Sequence, residues 1–155
     1  MDLNPDAPRY LSSNVQFIRQ DCSLPWPVEE ASLDGVFTSN FFEHLPDKAA
    51  LGRNLDQAHQ ALKPGGLLIA MGPNIKLVLG AYWDFWEHHI PLTESSLAEA
   101  LENRGFQIER KEPAFLPYTM AGKKPAPLVL GLLYFSLPLL WRFFGRQFLV
   151  IARSV

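Results

Sequence analysis

The segment Trp83–His89 contains the densest group of side chains that can perform chemistry, namely Asp84, Glu87, His88 and His89. Carboxylates and imidazoles bind divalent metal ions, and a neutral imidazole can also act as a general base on a substrate hydroxyl. Neighbouring residues rarely direct their ligand atoms at one point, and the sequence shows no second group of ligands, so we predict no metal site. We predict instead that His88 or His89 is the catalytic base.

A second group of polar and aromatic residues, 39–44, follows a short apolar stretch. Val36 and Phe37 favour a β-strand, and an apolar run this short between turn residues is typical of a buried parallel strand. Another apolar run, 67–71, follows after one helical pattern, so the two runs predict parallel strands joined by a helix. Ligands bind at the carboxyl ends of such strands, and residues 39–44 are therefore a candidate site.

Helical patterns surround these strands. Leucines and alanines at helical spacing predict a helix over 48–62, with Asp47 as its N-cap. A second helix, capped by Thr93, is predicted over 94–104. Three further strands are predicted at 15–21, 106–110 and 147–152. The alternation of strands and helices predicts an α/β fold.

Composition limits the class of protein. The chain has 155 residues, 48% hydrophobic and 19% charged, as expected for one globular domain. A formal net charge of -2 gives no general attraction to a polyanion, so we expect no nucleic-acid partner. The single cysteine, Cys22, excludes an internal disulfide, and the first residues lack the pattern of a signal peptide. These features predict a cytoplasmic location.

Residues 125–141 carry no charge, and a run of this length is at the lower limit of the ~17–25 residues that cross a bilayer. Two prolines, Pro127 and Pro138, interrupt the run, and the strand predicted at 147–152 needs a sheet to join. We therefore favour a hydrophobic helical excursion at about 125–145 that covers the sheet, and we leave contact with a membrane surface open. The lysines of 122–125 predict a solvated loop.

Several short motifs resemble one family of enzymes. These motifs are Asp34-Gly35-Val36, Glu43-His44-Leu45-Pro46-Asp47, Leu62-Lys63-Pro64-Gly65-Gly66, and the pair Ser96-Leu97 followed by Gly105-Phe106. Together they resemble the fourth strand, the turn after it, the fifth strand and the helix before the sixth strand of class I S-adenosylmethionine-dependent methyltransferases, most closely the small-molecule type. The resemblance implies methyl transfer from S-adenosylmethionine to a small molecule, with few side chains taking part in the chemistry.

The resemblance also implies roles for individual residues. The Asp2 carboxylate would accept hydrogen bonds from the ribose hydroxyls, Asp21 from the adenine amine, and the Cys22 N–H would donate to the adenine ring. Against these roles, Asp2 is equally well explained as a frayed terminal residue and Asp21 as the start of an Asx turn. The implied cofactor residues are Asp2, Leu3, Asp21, Cys22, Asn40 and Phe41, and the implied substrate pocket includes His44, Trp83 and Trp86.

The implied fold is a Rossmann-like sheet, mostly parallel, with an antiparallel last strand between the fifth and sixth. The family places a first strand, a glycine-rich loop and a first helix ahead of the position that Asp2 occupies, and residues 1–155 contain no such loop. We therefore expect a partial, N-terminally truncated domain over 1–155 with impaired cofactor binding. A non-catalytic scaffold is the competing hypothesis, and the oligomeric state is left open.

Overall fold

The structure, a computed structural model, describes residues 1–118 and 128–155, without the side chain of Leu128. The predicted loop at 122–125 and Pro127 lie outside the described residues. The strands are β1 (Leu33–Ser39), β2 (Leu62–Pro73), β3 (Phe106–Leu116) and β4 (Gln147–Ser154), and the helices are α1 (Lys48–Ala61), α2 (Ile75–Val78), α3 (Glu94–Glu102), α4 (Leu128–Ser136) and α5 (Pro138–Phe144). Short 3₁₀ helices span Ala7–Tyr10, Phe42–His44 and Leu79–Asp84.

The four strands form one sheet in the order β1-β2-β4-β3. β1 and β2 are parallel, and β4 pairs antiparallel with both β2 and β3. The predicted α/β sheet with its antiparallel last strand between the two preceding strands is therefore confirmed. β4 is hydrophobic along most of its length because it lies in the interior of the sheet, and six of its eight residues are buried.

The two long helices begin where their capping residues predict. The Asp47 side chain accepts a hydrogen bond from the Ala50 N–H at 2.7 Å and starts α1. Thr93 and Ser96 form a reciprocal capping box at the start of α3. The apolar face of each helix packs on the sheet, where Leu55, Leu97 and Leu101 are fully buried. These helices fix the turns that follow β1 and β2.

The strand predicted at 15–21 is wrong, because the segment makes one isolated parallel bridge between Asp2 and Arg19. The Asp2 N–H donates to the Ile18 carbonyl, and the Gln20 N–H donates to the Asp2 carbonyl, each at 3.2 Å. The ladder does not continue because the Asp2 side chain bends the chain by accepting from the Asn4 N–H at 2.8 Å, and Pro5 then has no N–H to donate.

The hydrophobic run forms two short helices, α4 and α5, with a break at Leu137. Tyr134 donates to the Phe115 carbonyl of β3 at 2.6 Å, and the Trp141 indole donates to the Tyr134 carbonyl at 2.9 Å. These bonds hold the two helices against β3. Among the described residues, no helix is long and apolar enough to cross a membrane.

Candidate functional site

A cleft of about 780 Å³ runs along β1 from Leu33 to its carboxyl end and the turn after it, where the sequence places the candidate site. Its walls come from three separate parts of the chain, around residues 2, 21 and 40, and it is closed below by β1 and by α1. The residues predicted to bind the cofactor or substrate that line it are Asp2, Leu3, Asp21, Cys22, Asn40, Phe41 and His44. The fold therefore brings together residues as distant in sequence as Asp2 and His44, which are 42 positions apart.

The two candidate carboxylates each bind their own backbone. Asp21 Oδ1 accepts from the Ser23 N–H at 2.9 Å and from the Ser23 hydroxyl at 2.7 Å, an Asx turn. These two hydrogen bonds lower the pKa of the Asp21 carboxyl, so it stays ionised at neutral pH. Asp2 forms the equivalent turn with Asn4. The turns hold each carboxylate in place. Within the described residues, only one of the two oxygen atoms of each carboxylate accepts a hydrogen bond.

Cys22 is fixed at the floor of the cleft through its carbonyl oxygen. That oxygen accepts from the Trp26 indole at 3.0 Å and from the Asn54 side chain at 2.6 Å. Burial raises the pKa of the Cys22 thiol, so this group is a neutral wall of the cleft rather than a nucleophile. Within the described parts of the chain, no main-chain carbonyl accepts from the Cys22 N–H, which is available to a ligand.

Asn40 turns the chain at the end of β1. Its φ of 50° lies in the left-handed region, which asparagine tolerates better than most residues. The Asn40 N–H donates to the Met71 carbonyl of β2 at 3.0 Å, so the turn is tied to the neighbouring strand. The exposed Asn40 side chain and the half-buried Phe41 ring both line the cleft.

A cluster of titratable side chains adjoins the cleft, and the sequence did not predict it. A carboxylate oxygen of Glu43 and one ring nitrogen each of His44 and His88 lie within 4.8 Å of one another. The sequence shows no second group of ligands beside Trp83–His89, whereas the fold brings Glu43 and His44, in the turn after β1, next to His88, in the loop between the 3₁₀ helix Leu79–Asp84 and α3. The Glu43 carbonyl joins this turn to this loop by accepting from the His89 N–H at 2.8 Å.

Burial perturbs the groups of this cluster. Burial raises the pKa of Glu43 to about 7 and also raises the pKa of the Tyr82 hydroxyl above its usual range. Burial lowers the pKa of His88, and its Nδ1 lies 2.9 Å from the Tyr82 carbonyl. Since a carbonyl only accepts hydrogen bonds, His88 Nδ1 carries the proton and Nε2 carries the lone pair.

The remaining predicted residues lie outside the walls of the cleft. Trp83 is 58% exposed near the end of the 3₁₀ helix Leu79–Asp84, and Trp86 is 94% exposed in the turn that follows this helix. His89 is exposed beside them, whereas His88 is buried and its ring lies 5.0 Å from that of His44. His88 is thus the member of the predicted pair that contacts a residue of the cleft wall, His44.

Comparisons with known proteins agree with this geometry. A family model described as a methyltransferase domain matches residues 1–111. A S-adenosylmethionine-dependent methyltransferase from Archaeoglobus fulgidus is 22% identical with a TM-score of 0.68, and the match covers 99% of this chain and 74% of that one. One from Mesorhizobium loti is 19% identical with a TM-score of 0.67, covering 99% and 78%. No protein with a curated description matches the chain.

Proposed function

The chain belongs to the methyltransferase-domain family, and on this premise we propose that it transfers a methyl group from S-adenosylmethionine to a small-molecule acceptor. S-adenosylmethionine is the cofactor that this family implies. Methyl transfer mainly requires that the electrophilic methyl group be held in line with a nucleophile, so a cleft that positions both partners supplies most of the catalysis. We also propose that residues 1–155 act as one domain and that the protein is cytoplasmic.

The observation that carries this proposal is the shared cleft. Three segments that are remote in sequence place their predicted cofactor residues on one cavity, which runs along a parallel strand and includes its carboxyl end. Ligands of open α/β sheets bind at this edge. The volume of about 780 Å³ is within the range of cofactor pockets, roughly 300–1,000 Å³.

Within the cleft we assign the adenosine part of the cofactor to the first two segments. The second oxygen of the Asp2 carboxylate accepts from the ribose hydroxyls, and that of Asp21 accepts from the adenine amine. The Cys22 N–H donates to the adenine ring. The Asx turns at Asp2 and Asp21 support these roles because they orient each carboxylate before the ligand binds.

We assign the acceptor to the side of the cleft formed by His44, with Trp83 and Trp86 at its outer margin. The proposed base is His88 or His89, which removes the acceptor proton as the methyl group is transferred. Burial keeps the His88 imidazole neutral by lowering its pKa, which supports His88, while the exposure of His89 supports contact with a substrate in solvent.

A non-catalytic scaffold is the alternative from another class. It is supported by the hydrogen bonds that Asp2 and Asp21 already make to their own backbones, since these turns need no ligand to explain them. The two hypotheses differ in their prediction for an adenosine-containing ligand. A scaffold that has lost the cofactor site does not bind this ligand at Asp21, so Asp21 variants do not change the affinity.

The Asp21→Ala variant tests the proposed enzyme. We expect it to bind S-adenosylhomocysteine about 5- to 150-fold more weakly, because the adenine amine loses a charged acceptor worth about 1–3 kcal/mol. The measurement is a ligand-detected NMR titration of wild type and variant. Asp34→Ala is the matched control, because Asp34 lies at the amino end of β1 and pairs with Lys63 outside the cleft. Equal affinity of wild type and Asp21→Ala would remove Asp21 from the site.

We further propose that α4 and α5 contact the surface of an anionic membrane. Their outward faces hold large apolar side chains that are 45–73% exposed, namely Val129, Leu130, Leu132, Leu133, Phe135, Leu137, Leu139, Phe143 and Phe144. An apolar surface of this extent marks an interaction site. Residues 113–155 contain five basic residues and no acidic one. Arg153 pairs with Glu109, and the positive charge of the other four complements anionic lipid head groups.

The double variant Phe143→Ser/Phe144→Ser tests membrane contact. We expect the partition onto vesicles of mixed neutral and anionic lipid to fall about thirtyfold, because two phenyl rings no longer enter the interface, a loss of about 2 kcal/mol. Sedimentation with vesicles measures it, and Leu24→Ser, another exposed apolar position, is the control. Unchanged partition of the double variant, or equal binding to purely neutral vesicles in high salt, would exclude this contact.

A further inference from the structure

The cluster of Glu43, His44 and His88 has the composition of a metal site rather than of a salt bridge. Its three ligand atoms come from the turn after β1 and from the loop that precedes α3, and all lie within 4.8 Å of one another. Two imidazole nitrogens and one carboxylate oxygen form a ligand set typical of zinc sites that keep one open coordination position.

Both imidazoles are held in the tautomer that leaves Nε2 available. His88 Nδ1 lies 2.9 Å from the Tyr82 carbonyl, and His44 Nδ1 lies 3.2 Å from the Glu87 carbonyl. Each Nδ1 therefore carries the hydrogen, and each Nε2 carries a lone pair. Histidines that bind metals are commonly fixed in this way by a main-chain carbonyl or a carboxylate on the opposite ring nitrogen.

The Glu43 carboxylate has no cationic partner within the described residues. Glu43 is only 3% exposed, and none of the ion pairs among the described residues includes its carboxylate. Gly72 of β2 packs closely beside it, since a Cβ at that position would lie 3.6 Å from Glu43 Oε2 and 3.1 Å from the Phe148 ring. Burying a carboxylate without a cation is unfavourable, and a bound metal ion would remove that cost.

We propose that Glu43, His44 and His88 bind a zinc ion, with a water molecule or an acceptor oxygen as the fourth ligand. Tetrahedral zinc with bonds of about 2.0–2.2 Å needs ligand atoms roughly 3.4 Å apart, so the side chains need shift by about 1 Å or less. His44 also lines the cleft, so the metal lies at its wall. Zinc on His88 Nε2 excludes this group as the base and leaves His89 for that role.

The test is a titration of the metal-free 155-residue chain with Zn²⁺ by calorimetry, followed by replacement with Co²⁺ and its visible spectrum. We expect one equivalent to bind, and Co²⁺ to show the absorption of a tetrahedral site. His44→Ala should weaken Zn²⁺ binding at least tenfold, and because His44 is exposed this variant keeps its core. Glu43→Gln and His88→Ala should weaken binding at least as much.

His89→Ala is the matched control, because His89 is exposed, adjacent to His88 and outside the cluster. It should bind Zn²⁺ as wild type does. Zn²⁺ should also raise the thermal midpoint of wild type and of His89→Ala but not that of His44→Ala. The absence of saturable binding, or equal binding by His44→Ala and wild type, would overturn the proposal. Neither result depends on cofactor binding, so the outcome is independent of the proposed methyl transfer.

Discussion

A polypeptide of residues 1–155 should bind S-adenosylmethionine with a dissociation constant in the millimolar range or weaker. The cleft offers partners for adenine and ribose at Asp21 and Asp2, but these residues contain no glycine-rich turn to receive the carboxylate and ammonium of the methionine part. Two missing charge-assisted hydrogen bonds, each worth about 1.5–3 kcal/mol, cost at least a hundredfold and up to about 10⁴-fold in affinity.

Adenosine is the control ligand for this prediction. If only the adenosine part is recognised, then adenosine and S-adenosylmethionine should bind residues 1–155 with affinities within a few-fold of each other. Calorimetry or ligand-detected NMR measures both. Saturable micromolar binding of S-adenosylmethionine, far tighter than that of adenosine, would mean that other residues of the chain hold the methionine part.

The Asn74→Ala variant should lose about 3–5 kcal/mol of unfolding free energy. Asn74 is 0% exposed at the end of β2, and its amide donates to Glu94 Oε2 at 2.7 Å and to the Pro113 carbonyl at 2.9 Å. Its Oδ1 accepts from the Lys76 N–H at the start of α2. Alanine leaves the buried Glu94 carboxylate and the Pro113 carbonyl without this donor, and the Lys76 N–H without its acceptor. The loss costs about 1.5–3 kcal/mol for the carboxylate and about 1–2 kcal/mol for the carbonyl and the N–H together.

The loss of unfolding free energy caused by Asn74→Ala should become smaller as the pH falls. Burial alone would raise the pKa of Glu94, but hydrogen bonds from Lys76 and Asn74 outweigh it and lower the pKa below the usual value of 4.5. A lowered carboxyl pKa contributes stability above the unfolded-state value, and this contribution disappears as the pH falls through the folded-state value.

Urea denaturation of wild type and Asn74→Ala at pH 7 and at pH 3 measures this pH dependence, with the exposed Asn14→Ala as control. A loss below about 1 kcal/mol at pH 7, or one that grows toward pH 3, would contradict this account.

The elements that the sequence predicts correctly are those specified by local signals. Asp47 and Thr93 cap their helices through hydrogen bonds from residues three positions away, so each cap is encoded in a short stretch of sequence. β4 is recognisable because a strand inside a sheet is apolar on both faces. The strand predicted at 15–21 fails because strand composition does not supply a partner, and only one bridge to Asp2 forms.

The residues of the candidate site also fall into those that local sequence predicts and those that depend on tertiary contacts. Asp21 and Asn40 are identifiable by position, at the ends of stretches with strand composition, and both line the cleft. Glu43 was missed as a chemical group because its importance comes from burial, which depends on contact between two turns that are distant in sequence. The resemblance implies that Trp86 belongs to the substrate pocket, yet its side chain is 94% exposed. Trp86 lies in the turn after the 3₁₀ helix Leu79–Asp84, and the direction of its side chain depends on tertiary structure that local sequence does not specify.

In the proposed enzyme, the cleft between the segments around residues 2, 21 and 40 binds the adenosine part of S-adenosylmethionine. The most direct measurement is a titration of the ¹⁵N-labelled chain of residues 1–155 with adenosine, followed by two-dimensional NMR. The amide signals of Asp2, Cys22, Ser23 and Asn40 should move progressively up to millimolar ligand, and those of Asp21→Ala should not. Unmoved signals at Cys22 and Asn40, with shifts confined to another surface, would contradict the claim.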